Sequence, residues 1–303
     1  MQRPAKPFTP VRFRLQPPNI MKIGIVGYGF VGKALANGLR NNVQTCLIDP
    51  KLKTSVGDLV DFNPDAIFLC LPTPMSDDGN QDISILKMVL EELKSYKINS
   101  LIVIKSTVLP ENIEVIENIY TNFVYNPEFL REKHANDDFI NSKLIVFGGK
   151  DSNIKYLADI YKNHSKCLCQ DYVFTDLISA SMIKYTINSF LATKVIFFNE
   201  IHSLFKKVKT SENWDNFISY LSLDKRIGDS HMQVPGHDGR LGFGGACLPK
   251  DSSAILKYAE SLNVEMSLIR NVIETNNKIR SSYKDKTDRE EDQNISFRSN
   301  KKE

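Results

Sequence analysis

Ile23-Gly24-Ile25-Val26-Gly27-Tyr28-Gly29-Phe30-Val31-Gly32 is the stretch whose reading decides the fold. An apolar run feeds into glycines at G-x-G-x-x-G spacing, which joins a buried strand to a helix through a tight turn. Gly27 permits the turn, Gly29 lets a pyrophosphate approach the backbone at the helix N-terminus, and Gly32 lets the helix over residues 33–40 pack against the strand. Twenty residues after Gly29, a second apolar run, Thr45-Cys46-Leu47-Ile48, ends in Asp49. A carboxylate there accepts hydrogen bonds from ribose hydroxyls and favours NAD over NADP. Strand, glycines, helix, strand and acid in register point to a dinucleotide site holding Gly27, Gly29, Val31, Gly32, Asp49 and Lys53.

Outward from that unit, short β-like runs at 66–71, 101–105, 123–125 and 144–147 alternate with helical patterns at 83–97 and 111–120. Such alternation means βαβ units, so the expected class is α/β: a doubly wound, mostly parallel Rossmann-type sheet followed by a mainly helical central domain. Ligands of such sheets bind beyond the carboxyl ends of the strands. Those ends carry Thr73, Thr107 and Glu128. Each threonine reads equally well as a helix cap or turn residue.

Residues 176–209 form a long helical stretch without Gly or Pro, in which Lys184 and Asn188 lie four apart on one face. Their neighbours Ile183, Tyr185, Ile187 and Phe190 are apolar, and a buried lysine needs an anionic partner. Further on comes Gly242-Phe243-Gly244-Gly245-Ala246-Cys247-Leu248-Pro249-Lys250-Asp251, where glycines bring backbone close to a ligand and a cysteine sits beside a lysine and a carboxylate. A lysine and a following helix N-terminus both favour the thiolate, and the carboxylate can activate water. Taken alone, the stretch reads also as a glycine turn before a buried cysteine. A second helix is expected over 252–278, capped by Asp251.

Composition, at 42% hydrophobic and 25% charged, is that of an ordinary globular protein, and 303 residues suffice for two domains. A net charge of +3 argues neither for nor against nucleic acid, but the lack of a basic, aromatic-interleaved stripe argues against it, and the longest apolar run is interrupted at Lys194, which argues against a membrane span. Five cysteines without framework spacing imply free thiols and a cytoplasmic location. His164, Cys167 and Cys169 match no zinc spacing, so no metal is expected; His231 and His237 flank a Pro-Gly turn. Prolines and basic residues over 1–20 read as a disordered extension, and the charged stretch 280–303 as a disordered tail. The ordered domains are then 21–170, binding the dinucleotide, and 171–279, helical and carrying the cysteine.

Between 21 and 279 the chain resembles the UDP-glucose and GDP-mannose dehydrogenase family. The likeness rests on the dinucleotide fingerprint, Pro72-Thr73-Pro74 with Asp77-Asp78-Gly79 and Asp82, and Ser106-Thr107-Val108 with Pro110. It continues through Asn126-Pro127-Glu128-Phe129-Leu130-Arg131-Glu132, Lys184-Tyr185 with Asn188, Asn199-Glu200, and the segment from Gly242 to Asp251. The resemblance implies a four-electron, NAD-dependent oxidation of a sugar nucleotide's C6 alcohol to a carboxylate, with Cys247 forming a thiohemiacetal and then a thioester. By the same resemblance Lys184 and Asn188 stabilise oxyanions, Asp251 and Thr107 position water, and Glu128 assists thioester hydrolysis. Thr73, Thr107, Glu132 and Lys250 fall on family cofactor contacts, and Glu128, Phe129, Leu130, Arg131, Lys184, Asn188 and Gly244 on the substrate side. A homodimer built on the long helix is also implied, as is a role in polysaccharide biosynthesis. Two departures are expected from the resemblance: Lys133 stands where the family has a glycine, and the family's further nucleotide-sugar-binding domain is expected to be lacking. The expectation is UDP-glucose as substrate, with a separate chain as a partner supplying the missing domain. The alternatives are GDP-mannose, or a cofactor-binding remnant with little activity.

Overall fold

The computed structural model describes residues 20–76 and 78–297; the proline-rich extension, except Ile20, lies outside them, as does Asp77. β1 (Met21–Val26) runs through the glycine turn into α1 (Phe30–Gly38), then β2 (Val43–Ile48), a 3-10 turn at Pro50–Leu52, α2 (Asp58–Phe62) and β3 (Ala66–Leu69). α3 (Ser84–Ser95), β4 (Leu101–Ile104), α4 (Pro110–Ile119) and β5 (Phe123–Tyr125) continue the alternation. After a 3-10 turn at Glu132–His134 come α5 (Ala135–Ile140), β6 (Ile145–Gly149), α6 (Asp151–His164) and β7 (Tyr172–Thr175). The strands form one sheet in the order β2-β1-β3-β4-β5-β6-β7, parallel except for the β5–β6 pair. The strand order reverses at β1, so β1 and β3 flank the crevice into which the glycine turn opens.

All residues of β3 and β4 are buried, as continuous apolar runs covered on both faces require. Alternate residues serve opposite layers: Ile67, Leu69, Ile102 and Ile104 pack with α3 and α4, whereas Ala66, Phe68, Leu101 and Val103 pack with α1 and α6. β7 was absent from the sequence reading, and the structure adds it at the sheet edge beside β6.

α7 (Leu177–Phe205) follows, 29 residues long and capped by Asp176, whose carboxylate accepts from Ser179 N at 2.8 Å. α7 packs on β5 and β6, and on α4, α9 (Leu248–Ser261) and α10 (Ser267–Arg280); α8 (Trp214–Ser222) closes a small aromatic cluster against its C-terminal half. The single helix expected over 252–278 is two helices. α9 ends at Ser261, and the chain turns through Asn263 at φ 57°. Asp251 lies in the first turn of α9 rather than capping it; the N-cap position belongs to Cys247.

The structureless tail expected from 280 is corrected over the described part of it. α11 (Asp288–Asp292) carries a capping box between Thr287 and Glu290, and Arg280, Glu290 and Ile295 are buried. Charge excess alone suggested disorder, but the charges pair: Arg280 reaches Asp238 at 2.6 Å and Glu290 at 3.3 Å.

Candidate active site

The glycine turn separates the demands of the fold from those of a ligand. Gly27 sits at φ +90°, and a Cβ there would lie 2.4 Å from Cys70 O; one on Gly32 would lie 2.1 Å from Gly27 O. A Cβ on Gly29 would meet nothing within 4 Å. The protein therefore requires Gly27 and Gly32, while the open side of Gly29 leaves room for a ligand against the backbone. Gly29 is also the N-cap of α1 and offers no side-chain cap, so the first turn, which includes half-buried Val31, presents its N–H groups to an anion. Asp49 is fixed beside this turn: Oδ2 accepts from Tyr28 N at 2.7 Å and Oδ1 from Lys51 N at 2.9 Å. Lys53 closes the 3-10 turn, exposed and at φ 58°. These residues fit a dinucleotide: the backbone at Gly29 and the first turn of α1 would hold its pyrophosphate, and Asp49 its ribose.

Beyond the strand ends, Thr73 and Thr107 are buried together, Thr73 Oγ1 donating to Thr107 O at 2.9 Å. The same carbonyl accepts from Gln81 Nε2 at 2.8 Å, and Gln81 further reaches Tyr185 OH at 2.9 Å and accepts from Leu109 N at 2.9 Å. The sequence reading missed Gln81, because no local pattern reveals an amide whose partners lie on α7 and in another loop. After β5, Glu128 is buried and its Oε2 accepts from Leu130 N at 2.6 Å. Lys105 and Asn126 lie in or beside motifs read from the sequence but were given no role there. Lys105 Nζ donates to Asn126 O at 3.1 Å and Oδ1 at 3.0 Å, which pins the loop carrying Glu128. Behind that loop is a cavity of about 20 Å³ lined by Lys105, Asn126, Glu128 and Tyr161, large enough for one water. Burial pushes Lys105 down to about 8, against the pull of Cys70 and Glu128.

α7, α9 and the Glu128 loop converge on the cysteine. Lys184 Nζ donates to Glu128 O, stands 3.6 Å from Glu128 Oε1 and lies 5.2 Å from the centre of the Phe129 ring. One turn along α7, Asn188 Nδ2 donates to Asp251 Oδ2 at 2.6 Å, while Lys250 Nζ donates to Asp251 Oδ1 at 2.6 Å. Asp251, at 0% exposure, is thus a fully buried carboxylate with both oxygens engaged. Burial opposes the charge on Lys184, but Glu128, Cys247 and Asp251 outweigh it and hold its pKa above the ordinary lysine value. Six of the residues singled out from sequence (Glu128, Lys184, Asn188, Cys247, Lys250 and Asp251) therefore share one electrostatic neighbourhood.

The activated thiolate expected at Cys247 is corrected. Burial first, then Glu128 and Asp251, push the thiol up to about 11; Lys184 and Lys250 only moderate the rise. Counting neighbours along the sequence revealed Lys250 beside the cysteine but not Glu128, which arrives from a distant loop. Arg131 turns away from the cluster, its Nη2 pairing with Asp138 Oδ1 at 2.7 Å. Glu132 pairs with Arg289 at 2.6 Å, and the side of Gly244 where a Cβ would stand is filled by Arg280 Nη2. No helix among the described residues is long and apolar enough to cross a membrane.

Comparison with known proteins finds the residues of this cluster within two matched domains. Residues 34–165 match the family model described as the NAD binding domain of the UDP-glucose/GDP-mannose dehydrogenase family, and residues 178–278 match that family's central domain. A UDP-glucose 6-dehydrogenase of Bacillus subtilis is 32% identical over 88% of this chain and 65% of its own length. That of Rickettsia felis is 34% identical over 74% of this chain and 50% of its own. The chain thus spans between half and two thirds of these relatives. Among solved structures, a UDP-glucose dehydrogenase from Pyrobaculum islandicum superposes with a TM-score of 0.72 at 27% identity, over 87% of this chain and 70% of that one.

Proposed function

The chain belongs to the UDP-glucose/GDP-mannose dehydrogenase family, and on that premise we propose that it oxidises the C6 alcohol of a sugar nucleotide, UDP-glucose first, to the carboxylate. The observation that carries the proposal is that half-buried Cys247 shares one electrostatic neighbourhood with buried Lys184, Lys250, Glu128 and Asp251. NAD, when bound, supplies the hydride acceptor, once for the alcohol and once for the covalent adduct. The chain's residues supply the rest.

Loss of hydride from C6 and of the hydroxyl proton, which passes to water, leaves an aldehyde. The Cys247 sulfur adds to its carbon, the carbonyl electron pair moves to oxygen, and that oxygen gains the proton the thiol gives up. A thiol held near 11 keeps its proton until this step, so the free site does not expose a reactive thiolate. Lys184 and Asn188, one helical turn apart, face the oxygen while it carries negative charge. Removal of the second hydride, and of the remaining hydroxyl proton to water, gives a thioester. Water, positioned by Asp251 and Thr107 and deprotonated with help from Glu128, adds to the acyl carbon; the carbon–sulfur bond breaks and the thiol is restored.

The test is NADH formation from UDP-glucose and from GDP-mannose, with the acid product quantified. Two NADH per carboxylate, with UDP-glucose preferred and no acid from Cys247→Ser, is the expected result. Oxidation that continues in Cys247→Ser with the same stoichiometry refutes covalent capture.

A further inference from the structure

We infer that Gln81 is a positioning residue for the water that hydrolyses the thioester, because it fixes the loop carrying Thr107 against α7. The inference rests on the hydrolysis reading above. The loop runs from Ile104, the last residue of β4, to Pro110, the first of α4, and past Ser106 its backbone is held by side chains rather than by a strand. Val108 N donates to Tyr125 OH at 3.1 Å, and Val108 O accepts from Ser181 Oγ at 2.6 Å. Thr107 O accepts from Thr73 Oγ1 at 2.9 Å and from Gln81 Nε2 at 2.8 Å, and Leu109 N donates to Gln81 Oε1 at 2.9 Å. Gln81 thus grips the loop on both sides of Val108.

A carboxamide has two donor and two acceptor positions, and here all of them are used. Nε2 also donates to Tyr185 OH at 2.9 Å, and Oε1 also accepts from Asn112 Nδ2 at 3.0 Å. A carbonyl can only accept and a backbone N–H can only donate, so Thr107 O and Leu109 N fix which end of the amide faces which partner. Tyr185 is fully buried on α7, next to Lys184, and Asn112 lies on α4, so one side chain ties the loop to both helices. The same side chain lines a narrow cleft with Thr73, Lys250 and Asp251. Gln81 is therefore bonded to Thr107 and shares a cleft with Asp251, the two groups assigned to the water. No hydrogen bond among the described residues uses the Thr107 hydroxyl, which leaves it for a water, while the carbonyl of the same residue is doubly held. A small rotation of that peptide would carry the hydroxyl away from the acyl carbon. Hydrolysis needs a placed water and hydride transfer does not, so the loss falls on the last step.

The test follows NADH and acid formation by the full chain with NAD and UDP-glucose, by rapid mixing and in the steady state. Gln81→Met, alike in length but without hydrogen bonds, should keep a burst of NADH and then turn over about tenfold more slowly, with acyl adduct accumulating on Cys247. kcat should fall with kcat/KM unchanged, since hydrolysis follows the committed oxidation. The burst amplitude counts folded sites, so a variant that merely unfolds loses amplitude and keeps its turnover per site. Gln81→Glu, alike in shape, sets an oxygen against Thr107 O and should show the same slowing. Gln81→Met combined with Thr107→Ala should be no slower than Thr107→Ala alone, because both act on one water. Unchanged turnover per site in the two Gln81 variants overturns the inference, and so does a defect that adds to that of Thr107→Ala. A wild-type chain that forms no acid overturns the hydrolysis reading along with it.

Discussion

Cys247, the proposed nucleophile, lies in a field that opposes its ionisation. With the thiol near 11, the rate of alkylation by iodoacetamide should climb through pH 9 without a plateau, whereas an activated thiolate would level off below neutrality. Removing the cations should act in one direction: Lys184→Met raises the thiol pKa further and slows alkylation at fixed pH, because Lys184 lowers it now. A plateau near pH 6 would contradict this assignment. At the ribose end, Asp49→Ala should erode the preference for NAD over NADP, measured as a ratio of dissociation constants. Equal binding by the wild type would refute the role of Asp49. The identities of Cys247, Lys184, Asn188 and Asp251 were legible in the sequence because each stands in a short motif. The state of the thiol was not, since Glu128 sits 119 positions before Cys247 in the chain.

Elements with a repeating apolar pattern were legible, and those defined by partners were not. Strands β3 and β4 and helix α7 follow from continuous runs, whereas β7 has two strongly exposed side chains and leaves no such signature. α11 rests on paired charges, which composition counts as solvating. The outer face of α7 carries exposed Met182, Phe190, Phe197 and Leu204 on one side, away from Lys184 and Asn188. We propose that this face pairs with a second copy. The pair Phe190→Asp and Phe197→Asp should then convert a dimer into a monomer by sedimentation, and a wild-type chain that is monomeric at micromolar concentration speaks against it. The loop before the cysteine titrates on its own account. Burial, reinforced by Lys194, Arg131 and His237, depresses His231 from 6.5 to about 4. Between those values the unfolded chain binds more protons than the folded one. Stability should therefore fall as pH drops from 6.5 towards 4, by at most about 3 kcal/mol. His231→Asn, which tolerates the local φ of 62°, should flatten that slope in thermal melts; an unaltered slope would assign the loss elsewhere.

At the scale of the whole molecule, a sheet of the dinucleotide-binding kind and a helical layer that carries a cysteine meet where Lys184 pairs with Glu128, and α11 bonds to both Gly245 and Glu132. The class of the sheet, doubly wound and mostly parallel, was legible from the glycine turn and strand alternation alone; its strand order and the edge strand β7 were not. Nor was the joining of sheet and helical layer, because Gln81, Lys105 and Arg289 act only through partners far away in the chain. The central claim is that Cys247 carries the sugar through its second oxidation. Its most direct test is mass spectrometry of the quenched chain after incubation with NAD and UDP-glucose, using Glu128→Gln to slow hydrolysis of the thioester. The account predicts an acyl adduct on the peptide bearing Cys247, absent without NAD and absent in Cys247→Ser. Turnover to the carboxylate with no adduct on Cys247 in either protein, or an adduct on another residue, would contradict it.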